Sequence, residues 1–337
     1  MMRPRVGFLG VGWIGRHRMA AMVETGAIEA AAIADVSPEC LEEAAKIAPD
    51  AQRAGSFEEL LELPLDALVI ATPSALHAAQ AIATLGRGMA VFCQKPLGRS
   101  EAEARSVIEA ARQANRLLGV DMSYRRTAAG EAIAGRIKDG SLGRIFAADL
   151  QFHNAYGPDK AWFRDPALAG GGCLMDLGVH LLDLALLALD YPAIESVSSR
   201  LYSRGEPLPP DGSVVEDYAT AELQLSGGIA LRLACSWHLH AGRDAVIDLS
   251  FYGTQGGVAF RNLGGSFYDF EALSFSGTHT ETLCSPPDEW GGREAAVWAG
   301  QLAVRREYDP AVERVLAPAE ALDRIYAAAG AGGKAAT

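Results

Sequence analysis

A glycine-rich run near the amino terminus constrains this chain more than any other feature. The run Gly10-Val11-Gly12-Trp13-Ile14-Gly15 directly follows a predicted strand, Arg5–Leu9, and opens a predicted helix. Glycines in this context permit a tight turn, let the backbone approach a pyrophosphate and let the helix pack closely on the sheet. The helix N-terminus adds free N–H groups and a positive dipole end. We therefore predict a dinucleotide site formed by Gly10, Gly12, Trp13, Ile14 and Gly15.

An acidic residue at the end of the second predicted strand supports this prediction. Asp35 stands twenty residues after Gly15, at the end of the second predicted strand, where a carboxylate accepts hydrogen bonds from ribose hydroxyls. Its charge would repel the 2′-phosphate of NADP, and the next residues, Val36 and Ser37, are not arginine. We predict NAD, with NADP possible through Arg53, the nearest basic residue that could alter this preference. The alternative is a doubly wound sheet whose turn binds nothing and whose Asp35 caps the following helix.

The order of predicted elements indicates two domains in an α/β fold. Up to residue 123, short apolar runs alternate with segments of helical period, which is typical of βαβ units in a parallel sheet. Beyond it, strands of alternating pattern at 145–152, 218–225, 229–237 and 245–252 indicate an antiparallel sheet with a few helices. We predict a dinucleotide-binding domain over 1–123 and a second domain over 124–337.

The composition excludes several classes of protein. Of the 337 residues, 49% are hydrophobic and 21% charged, as in globular proteins rather than disordered chains. Lys and Arg number 30 against 42 Asp and Glu, and the net charge of −12 gives no general attraction to nucleic acid or anionic lipid. We expect a small-molecule ligand, with no nucleic acid and no membrane as partner.

Cysteine usage and apolar runs indicate a cytoplasmic protein. The five cysteines form no C-x-x-C pair and are odd in number, so we expect reduced thiols. The apolar stretch near the amino terminus is interrupted by glycines and lacks a signal-peptidase pattern. The longest apolar run, 181–189, contains Asp183 and is shorter than the roughly 18 residues that a membrane span needs.

A lysine follows the predicted strand Ala90–Cys93 in the sequence Gln94-Lys95-Pro96. Ligands of open α/β sheets lie beyond the carboxyl ends of the strands, so Lys95 is expected to project toward the reactive end of the cofactor. The alternative is a solvated loop lysine.

Asp176 and His180, four residues apart behind Gly170-Gly171-Gly172, form the second candidate group. On a helix they share a face, where a carboxylate orients an imidazole for proton transfer. Two alternatives are a buried hydrogen-bonded pair and half of a metal site. His238 and His240 have no obvious partner acid, and we predict no metal.

Aromatic residues of the loop 153–163 are candidates for the substrate wall. Tyr156 and Trp162 offer flat rings for the apolar face of a sugar, and Trp237 and His238 are expected to face the same cleft. The alternative is a surface loop that packs its own aromatic residues.

Taken in order, these motifs resemble the glucose-fructose oxidoreductase/inositol dehydrogenase/MocA family. The resemblance rests on the glycine fingerprint, the A-T-P-x-x-x-H run 71–77, the Lys95-Pro96 strand end and the run G-G-G-x-x-x-D-x-G-x-H over 170–180. It covers nearly the whole chain and includes the last helical segment, 318–329.

Such membership implies a Rossmann domain followed by a C-terminal α/β domain with a large open, mainly antiparallel sheet, which often forms a homodimer or homotetramer. It also implies NAD(P)-dependent oxidation or reduction of sugars, cyclitols or related alcohols. Carried over to this chain, Lys95, Asp176 and His180 line the reacting carbinol. The loop beside the cofactor corresponds to Thr72, Pro73 and His77, and Gln94 and Lys95 are also expected to contact the cofactor.

The chain departs from the family pattern at two places. Gln94 stands where members have the glutamate of E-K-P, and Ser123 stands where Asn or His is frequent, although Arg125 is kept as a candidate substrate contact. Substrate identity therefore does not transfer. Two alternatives to a net dehydrogenase are an enzyme that oxidises its substrate transiently with NAD that is not released, and a non-catalytic dinucleotide sensor.

Overall fold

The computed structural model describes residues 2–330. The strands in chain order are β1 Arg5–Leu9, β2 Glu29–Ala34, β3 Gln52–Arg53, β4 Ala67–Ile70, β5 Ala90–Cys93, β6 Leu118–Val120, β7 Ile145–Asn154, β8 Ile194–Ser203, β9 Glu206–Pro207, β10 Tyr218–Leu225, β11 Ile229–Ser236, β12 Ala245–Gly253, β13 Gly257–Asn262, β14 Phe270–Ser276 and β15 His279–Cys284.

The α-helices alternate with the strands in the first part of the chain and are sparser later. In chain order they are α1 Trp13–Glu24, α2 Pro38–Ala45, α3 Phe57–Glu62, α4 Ser74–Gly86, α5 Glu101–Ala114, α6 Ala128–Lys138, α7 Pro166–Ala169, α8 Val179–Ala188, α9 Arg293–Val304 and α10 Leu316–Ala328. A π-helical turn, Leu174–Gly178, leads into α8.

The first sheet has the strand order β3-β2-β1-β4-β5-β6, and every neighbouring pair is parallel. This is the order of the Rossmann fold, in which ligands bind at the carboxyl edge where the order reverses between β1 and β4. Strands β4 and β5 are buried along their whole length, as expected for a parallel sheet covered on both faces. The predicted parallel α/β architecture is confirmed.

Serine side chains cap the first turns of two helices. Ser37 Oγ accepts the N–H of Cys40 ahead of α2, and Ser100 Oγ accepts the N–H of Glu103 ahead of α5. Each cap satisfies one of the backbone donors that the first turn of a helix leaves without a partner.

The second sheet has the order β15-β14-β13-β12-β7-β11-β10-β8-β9. The pair β7 and β11 is parallel and the other pairs are antiparallel, so the predicted mainly antiparallel sheet is confirmed. Strand β10 alternates between buried and more accessible positions, the pattern of a sheet that buries one face.

The chain divides into two compact units, and the division differs from a single cut at residue 123. The first unit contains Met1–Ser123 and Trp290–Leu316, and the second contains Tyr124–Glu289 and Ala317–Thr337. The returning segment joins the first unit because α9 brings Trp298 within 5.4 Å of the Phe92 ring, measured between centroids. A side chain on Gly119 would occupy the place of the Trp298 ring.

One apolar segment passes a composition test for a membrane span. Residues Pro166–Ala188 have a mean hydropathy of 1.5, but 83% of the tested window is buried inside the protein. Burial against other elements is what the core helix of a soluble protein shows, and it supplies the apolar environment that this segment requires.

Candidate active site

At each of the three glycine positions in the turn between β1 and α1, a different feature of the geometry accounts for the absence of a side chain. Gly10 has a φ of +81°, and a Cβ there would lie 2.5 Å from the carbonyl oxygen of Ala71. A Cβ on Gly15 would lie 1.9 Å from the carbonyl oxygen of Gly10, which only glycine avoids. Gly12 has open space instead, since an added Cβ would meet nothing within 4 Å. That opening fits a phosphate that approaches the backbone at the start of a helix.

Asp35 lies at the end of β2 and ties that strand to the turn. Its Oδ2 accepts the backbone N–H of Val11 at 2.7 Å, and its Oδ1 accepts the N–H of Ser37 at 2.8 Å. Ser37, rather than Asp35, provides the side-chain cap of α2. Because a carboxylate has about four acceptor sites, Asp35 keeps capacity for ribose hydroxyls, and that role stays a prediction.

The basic residue considered above for NADP binding, Arg53, is engaged elsewhere. Arg53 donates two hydrogen bonds to Glu42, at 2.5 and 3.1 Å. At the turn itself Trp13 is 59% exposed and Ile14 is half-buried. These two side chains are therefore accessible to a bound dinucleotide, while the guanidinium that could have favoured NADP is paired with a carboxylate.

The loop after β4 is fastened by a buried histidine. His77 is 1% exposed, with Nδ1 2.7 Å from the carbonyl oxygen of Pro96 and Nε2 2.7 Å from that of Thr72. Thr72 donates its hydroxyl to Gln80 at 2.6 Å, and Pro73 precedes the first residue of α4. Burial lowers the pKa of His77 below its usual 6.5. The ring thus joins the loop after β4 to the loop that carries Lys95.

Gln94 and Lys95 follow β5, at the carboxyl edge of the sheet. Lys95 is half-buried, and the peptide bond to Pro96 is cis. Gln94 is buried and donates its amide to Asp121 Oδ2 at 2.7 Å, an atom that also accepts Arg18 Nε at 2.6 Å. This buried network explains why an amide stands at position 94, because a glutamate would place a second carboxylate against Asp121.

The helix of the second candidate group exposes only the two side chains predicted for chemistry. From residue 169 to residue 186 every residue is buried except Asp176 and His180, which are half-buried. Asp176 lies in the π-helical turn and His180 in the first turn of α8, so the helix is not α-helical throughout as predicted. A π turn within a helix is a frequent feature of functional sites.

Neighbouring aromatic residues hold both side chains. Trp237 donates its Nε1–H to Asp176 Oδ2 at 3.2 Å. The His180 ring stacks on Tyr124, with centroids 4.7 Å apart and an interplanar angle of 23°. Tyr124 is buried and also contacts the ring of Phe152. Stacking on a buried ring restricts the imidazole to one orientation.

A residue that the sequence reasoning missed holds the start of this helix. The buried Glu216 Oε1 accepts the N–H groups of Gly172 and Leu174, at 2.9 and 3.0 Å, and the hydroxyl of Tyr326 at 2.8 Å. A Cβ on Gly171 would lie 2.0 Å from the Tyr326 hydroxyl, and one on Gly172 would lie 1.8 Å from the Glu216 carbonyl oxygen. The glycines therefore pack against the protein's own α10 and against Glu216, two residues before β10.

A series of aromatic contacts links the predicted substrate loop, 153–163, to Asp176. Trp162 stacks on Phe163 at 3.8 Å between centroids, and Phe163 meets Trp237 edge-on at 6.4 Å. The loop does pack its own aromatic residues, while Trp237 connects them to the carboxylate of Asp176. Tyr156 is 56% exposed and donates its hydroxyl to Asp244 at 2.7 Å. Contact of Tyr156 and Trp162 with a substrate stays a prediction.

Arg125 is held by a carboxylate of the same unit. Its Nε donates to Asp183 Oδ2 at 2.7 Å and its Nη2 to Asp183 Oδ1 at 2.5 Å. Asp183 is 2% exposed and lies one turn after His180 on α8. Tyr124 and Arg125 thus contact adjacent turns of the helix that bears His180, and a substrate contact by Arg125 stays a prediction.

Metal ligation has no support in the part of the chain that is described. Within residues 2–330, His, Cys, Asp and Glu side chains form no group of three or more that could hold a metal ion. His238 and His240 lie after β11, and His238 is exposed with a φ of +58°.

The fold and the glycine turn define a dinucleotide-binding oxidoreductase with a Rossmann domain. Residues 4–122 match the family model described as "Oxidoreductase family, NAD-binding Rossmann fold", and residues 131–259 match "GFO/IDH/MocA C-terminal domain". The chain belongs to the GFO/IDH/MocA family, which confirms the resemblance drawn from the sequence. Its first unit is an NAD-binding Rossmann domain.

Relatives with curated names are sugar-modifying enzymes. The chain is 27% identical to D-glucoside 3-dehydrogenase of Escherichia coli (strain K12) over 210 residues, 59% of this chain and 60% of that protein. It is 31% identical over 262 residues to a putative UDP-kanosamine synthase oxidoreductase subunit of Amycolatopsis mediterranei (strain S699), 73% of this chain and 72% of the relative. The aligned part therefore spans less than two thirds of the first of these relatives.

Solved structures share the fold over almost the whole chain. Levoglucosan dehydrogenase in complex with NADH and levoglucosan superposes with a TM-score of 0.80, at 21% identity, over 98% of this chain and 98% of that chain. At this identity the likeness shows the fold alone.

Proposed function

We propose that this protein is an NAD-dependent dehydrogenase that oxidises a secondary hydroxyl of a sugar, cyclitol or related polyol. The single observation that carries the proposal is the selective accessibility of Asp176 and His180 in an otherwise buried segment, 169–186. The two titratable groups share the accessible side of a segment that contains a π-helical turn, a feature frequent at functional sites. The curated names of the relatives, which include dehydrogenases of D-glucosides and inositol, support the substrate class.

The residues of the first unit have roles in holding the cofactor. The turn Gly10 to Gly15 would receive the pyrophosphate, Asp35 the adenosine ribose, and Thr72, Pro73 and His77 would form the wall beside it. When bound, NAD supplies the acceptor for the hydride of the substrate C–H. Gln94 would also contact the cofactor, held in place by the hydrogen bond that its amide donates to Asp121.

Three side chains act on the substrate oxygen. His180 accepts the hydroxyl proton as the carbonyl forms, and its ring, stacked on Tyr124, presents one nitrogen to the substrate. Asp176 orients and stabilises the imidazolium, while Trp237 keeps the carboxylate in place. The Lys95 ammonium stabilises negative charge that develops on the oxygen. This assignment makes Lys95 and His180 the residues most sensitive to mutation.

The testing experiment measures reduced nicotinamide formed from NAD, then NADP, across aldoses, cyclitols and sugar acids. His180→Ala and Lys95→Ala are each expected to lower kcat about a hundredfold or more. The matched controls His279→Ala, on β15, and Lys46→Ala, an exposed partner of Glu43, are expected to retain activity. Unchanged turnover in both site variants would overturn the assignment. If no reduced nicotinamide forms with any compound of the panel although NAD is bound, the result would instead favour an enzyme that oxidises its substrate transiently and does not release its cofactor.

We further infer a cytoplasmic homo-oligomer. All five cysteines are free thiols, which suits a reducing compartment. Light scattering after size-exclusion chromatography should give the mass of a dimer or tetramer, and a monomer at micromolar concentration would contradict this part of the proposal.

A further inference from the structure

A cavity of about 1030 Å³ in the second unit has no role in the catalytic scheme above. It opens near the ends of β8, β10 and β11, and it is larger than one hexose ring needs, since sites of 300–1,000 Å³ hold drug-sized ligands, on the order of several rings. Six of its thirteen lining residues are basic or aromatic: Arg164, Tyr202, Arg204, Tyr218, Trp237 and His238. The others are Asp217 and small or apolar residues.

The two arginines are available to a ligand. Within residues 2–330, neither Arg164 nor Arg204 makes a salt bridge to a carboxylate, whereas five arginines of the second unit do: Arg125, Arg136, Arg232, Arg261 and Arg324. Asp217 is the acid that lines the cavity, and its Oδ2 already accepts the backbone N–H of Arg204 at 2.8 Å. Two guanidiniums without a carboxylate partner in one cavity attract an anion.

The backbone brings one arginine and a histidine together at the cavity. A Cβ on Gly157 would lie 2.3 Å from His238 Nε2 and 2.9 Å from Arg164 Nη2, so both polar groups converge over this glycine. His238 adopts a φ of +58°, a conformation that side-chain-bearing residues rarely take. Uncommon backbone conformations of this kind cluster at ligand sites.

The cavity adjoins the group that we assign to proton transfer. Trp237 lines it and donates its Nε1–H to Asp176 at 3.2 Å. The Trp237 side chain therefore lies between a ligand in the cavity and Asp176. A substrate that extended from Asp176 past Trp237 would place a distal substituent beside Arg164.

We propose that this cavity binds an oxyanion substituent, a phosphoryl or carboxylate group, on the sugar substrate, with Arg164 and Arg204 as its ligands. The guanidinium fork matches either oxyanion in a bidentate way. This inference rests on the proposed dehydrogenase function and narrows its substrate class to anionic sugars.

The test compares glucose, glucose 6-phosphate and glucuronate in calorimetry and in NAD-dependent turnover. The variants are Arg164→Met and Arg204→Met, which keep an apolar stem, singly and together. Arg144→Met, an exposed arginine just before β7, is the matched control. We expect each site variant to weaken binding of an anionic sugar at least tenfold, with unchanged melting temperature and unchanged KM for glucose. Tighter binding of glucose 6-phosphate would identify a phosphoryl group as the oxyanion, and tighter binding of glucuronate would identify a carboxylate.

Two outcomes separate this inference from the proposed function. If neutral sugars are oxidised but wild type binds no anionic sugar more tightly than glucose, the inference is overturned while the dehydrogenase stands. If an anionic sugar binds in an Arg164-dependent way without any nicotinamide reduction, the cavity assignment stands and the proposed function is overturned. Equal loss of binding in the Arg144→Met control would also overturn the inference, because general surface charge would then explain the affinity.

Discussion

Gln94 donates its side-chain amide to Asp121 at 2.7 Å, beneath the loop that carries Lys95. Both side chains are buried, and the same Asp121 oxygen accepts Arg18 Nε. Asp121, directly after β6, thus supplies a buried carboxylate beside position 94.

This relationship predicts the effect of restoring the glutamate. Gln94→Glu should lower the free energy of unfolding by about 2 kcal/mol at neutral pH, because two carboxylates would face each other in a buried site. The loss should shrink on acidification to about pH 5, where one carboxyl takes up a proton. Urea unfolding of Gln94→Glu, Asp121→Asn and the double variant measures this. A double variant no more stable than Gln94→Glu would contradict the pairing.

The glycine turn predicts a contrast between two alanine substitutions. Gly15→Ala should lower the melting temperature, because its Cβ would clash with the Gly10 carbonyl oxygen at 1.9 Å. Gly12→Ala should leave the melting temperature unchanged, since its Cβ meets nothing within 4 Å, yet weaken NAD binding about tenfold by filling the phosphate approach. Thermal scans with and without NAD, with calorimetric Kd values, measure both. Unaltered NAD affinity in Gly12→Ala would place the pyrophosphate elsewhere.

The buried ion pair of α8 predicts a large loss of stability. Asp183→Asn should lower the free energy of unfolding by about 3 kcal/mol, because the half-buried Arg125 would lose its charged partner. The control is Asp149→Asn, whose partner Arg232 is 67% exposed, and the expected loss there is at most about 1 kcal/mol. Equal losses of unfolding free energy in the two variants would show that burial does not increase the contribution of the Arg125–Asp183 pair to stability.

The hydrogen bond from Trp237 predicts a selective loss of activity. Trp237→Phe keeps an aromatic ring for Phe163 but removes the donor to Asp176. We expect kcat/KM to fall about tenfold, because the Asp176 carboxylate loses a hydrogen bond that holds it in place. Trp298→Phe is the control, since its indole Nε1 has no hydrogen-bond partner within residues 2–330, and it should keep its kcat/KM. An unchanged kcat/KM in Trp237→Phe would limit Trp237 to packing.

The buried His77 predicts how stability changes with acid. Its pKa is lowered by burial, with Lys95 adding to the effect and Glu103 opposing it. The folded state therefore binds fewer protons than the unfolded state once the pH falls below 6.5, the ordinary value. Stability from this group is fully present above pH 6.5 and is lost as the pH falls toward the lowered pKa, at up to about 1.4 kcal/mol per pH unit.

His77→Gln should remove that slope. Burial also lowers the pKa of His17 and His153, so the wild type and the variant share the slope of those two groups. Urea unfolding between about pH 7.5 and 5.5 should show a steeper loss in the wild type. Parallel curves for the two proteins would mean that His77 is protonated in the folded state as readily as in the unfolded one.

Much of the first unit was predictable because its signals are local. Strands β1 and β5 have the predicted bounds, since apolar runs bordered by glycine and turn residues occupy a few adjacent positions. The order of glycines, Asp35 and Lys95 along βαβ units brings them to one edge of a parallel sheet. The fold class and the family follow from this order alone.

The second unit shows where local signals end. Its helix α6 carries too little periodicity to be recognised, and the same holds for β3 of the first unit, which has only two residues, both exposed. The return of α9 to the first unit depends on Trp298 meeting Phe92, far apart in the chain, and no sequence pattern marks that contact.

The amino-acid sequence by itself determined the Rossmann domain, the dinucleotide turn and the residue types that suit hydride and proton transfer, because these depend on spacing within about twenty residues. The tertiary structure alone decided what holds those residues. Glu216 at the glycines, Trp237 on Asp176 and Asp183 on Arg125 are each more than forty residues from their partners along the chain. Such pairs form only when separate elements of the fold pack against each other, so no local sequence pattern identifies them.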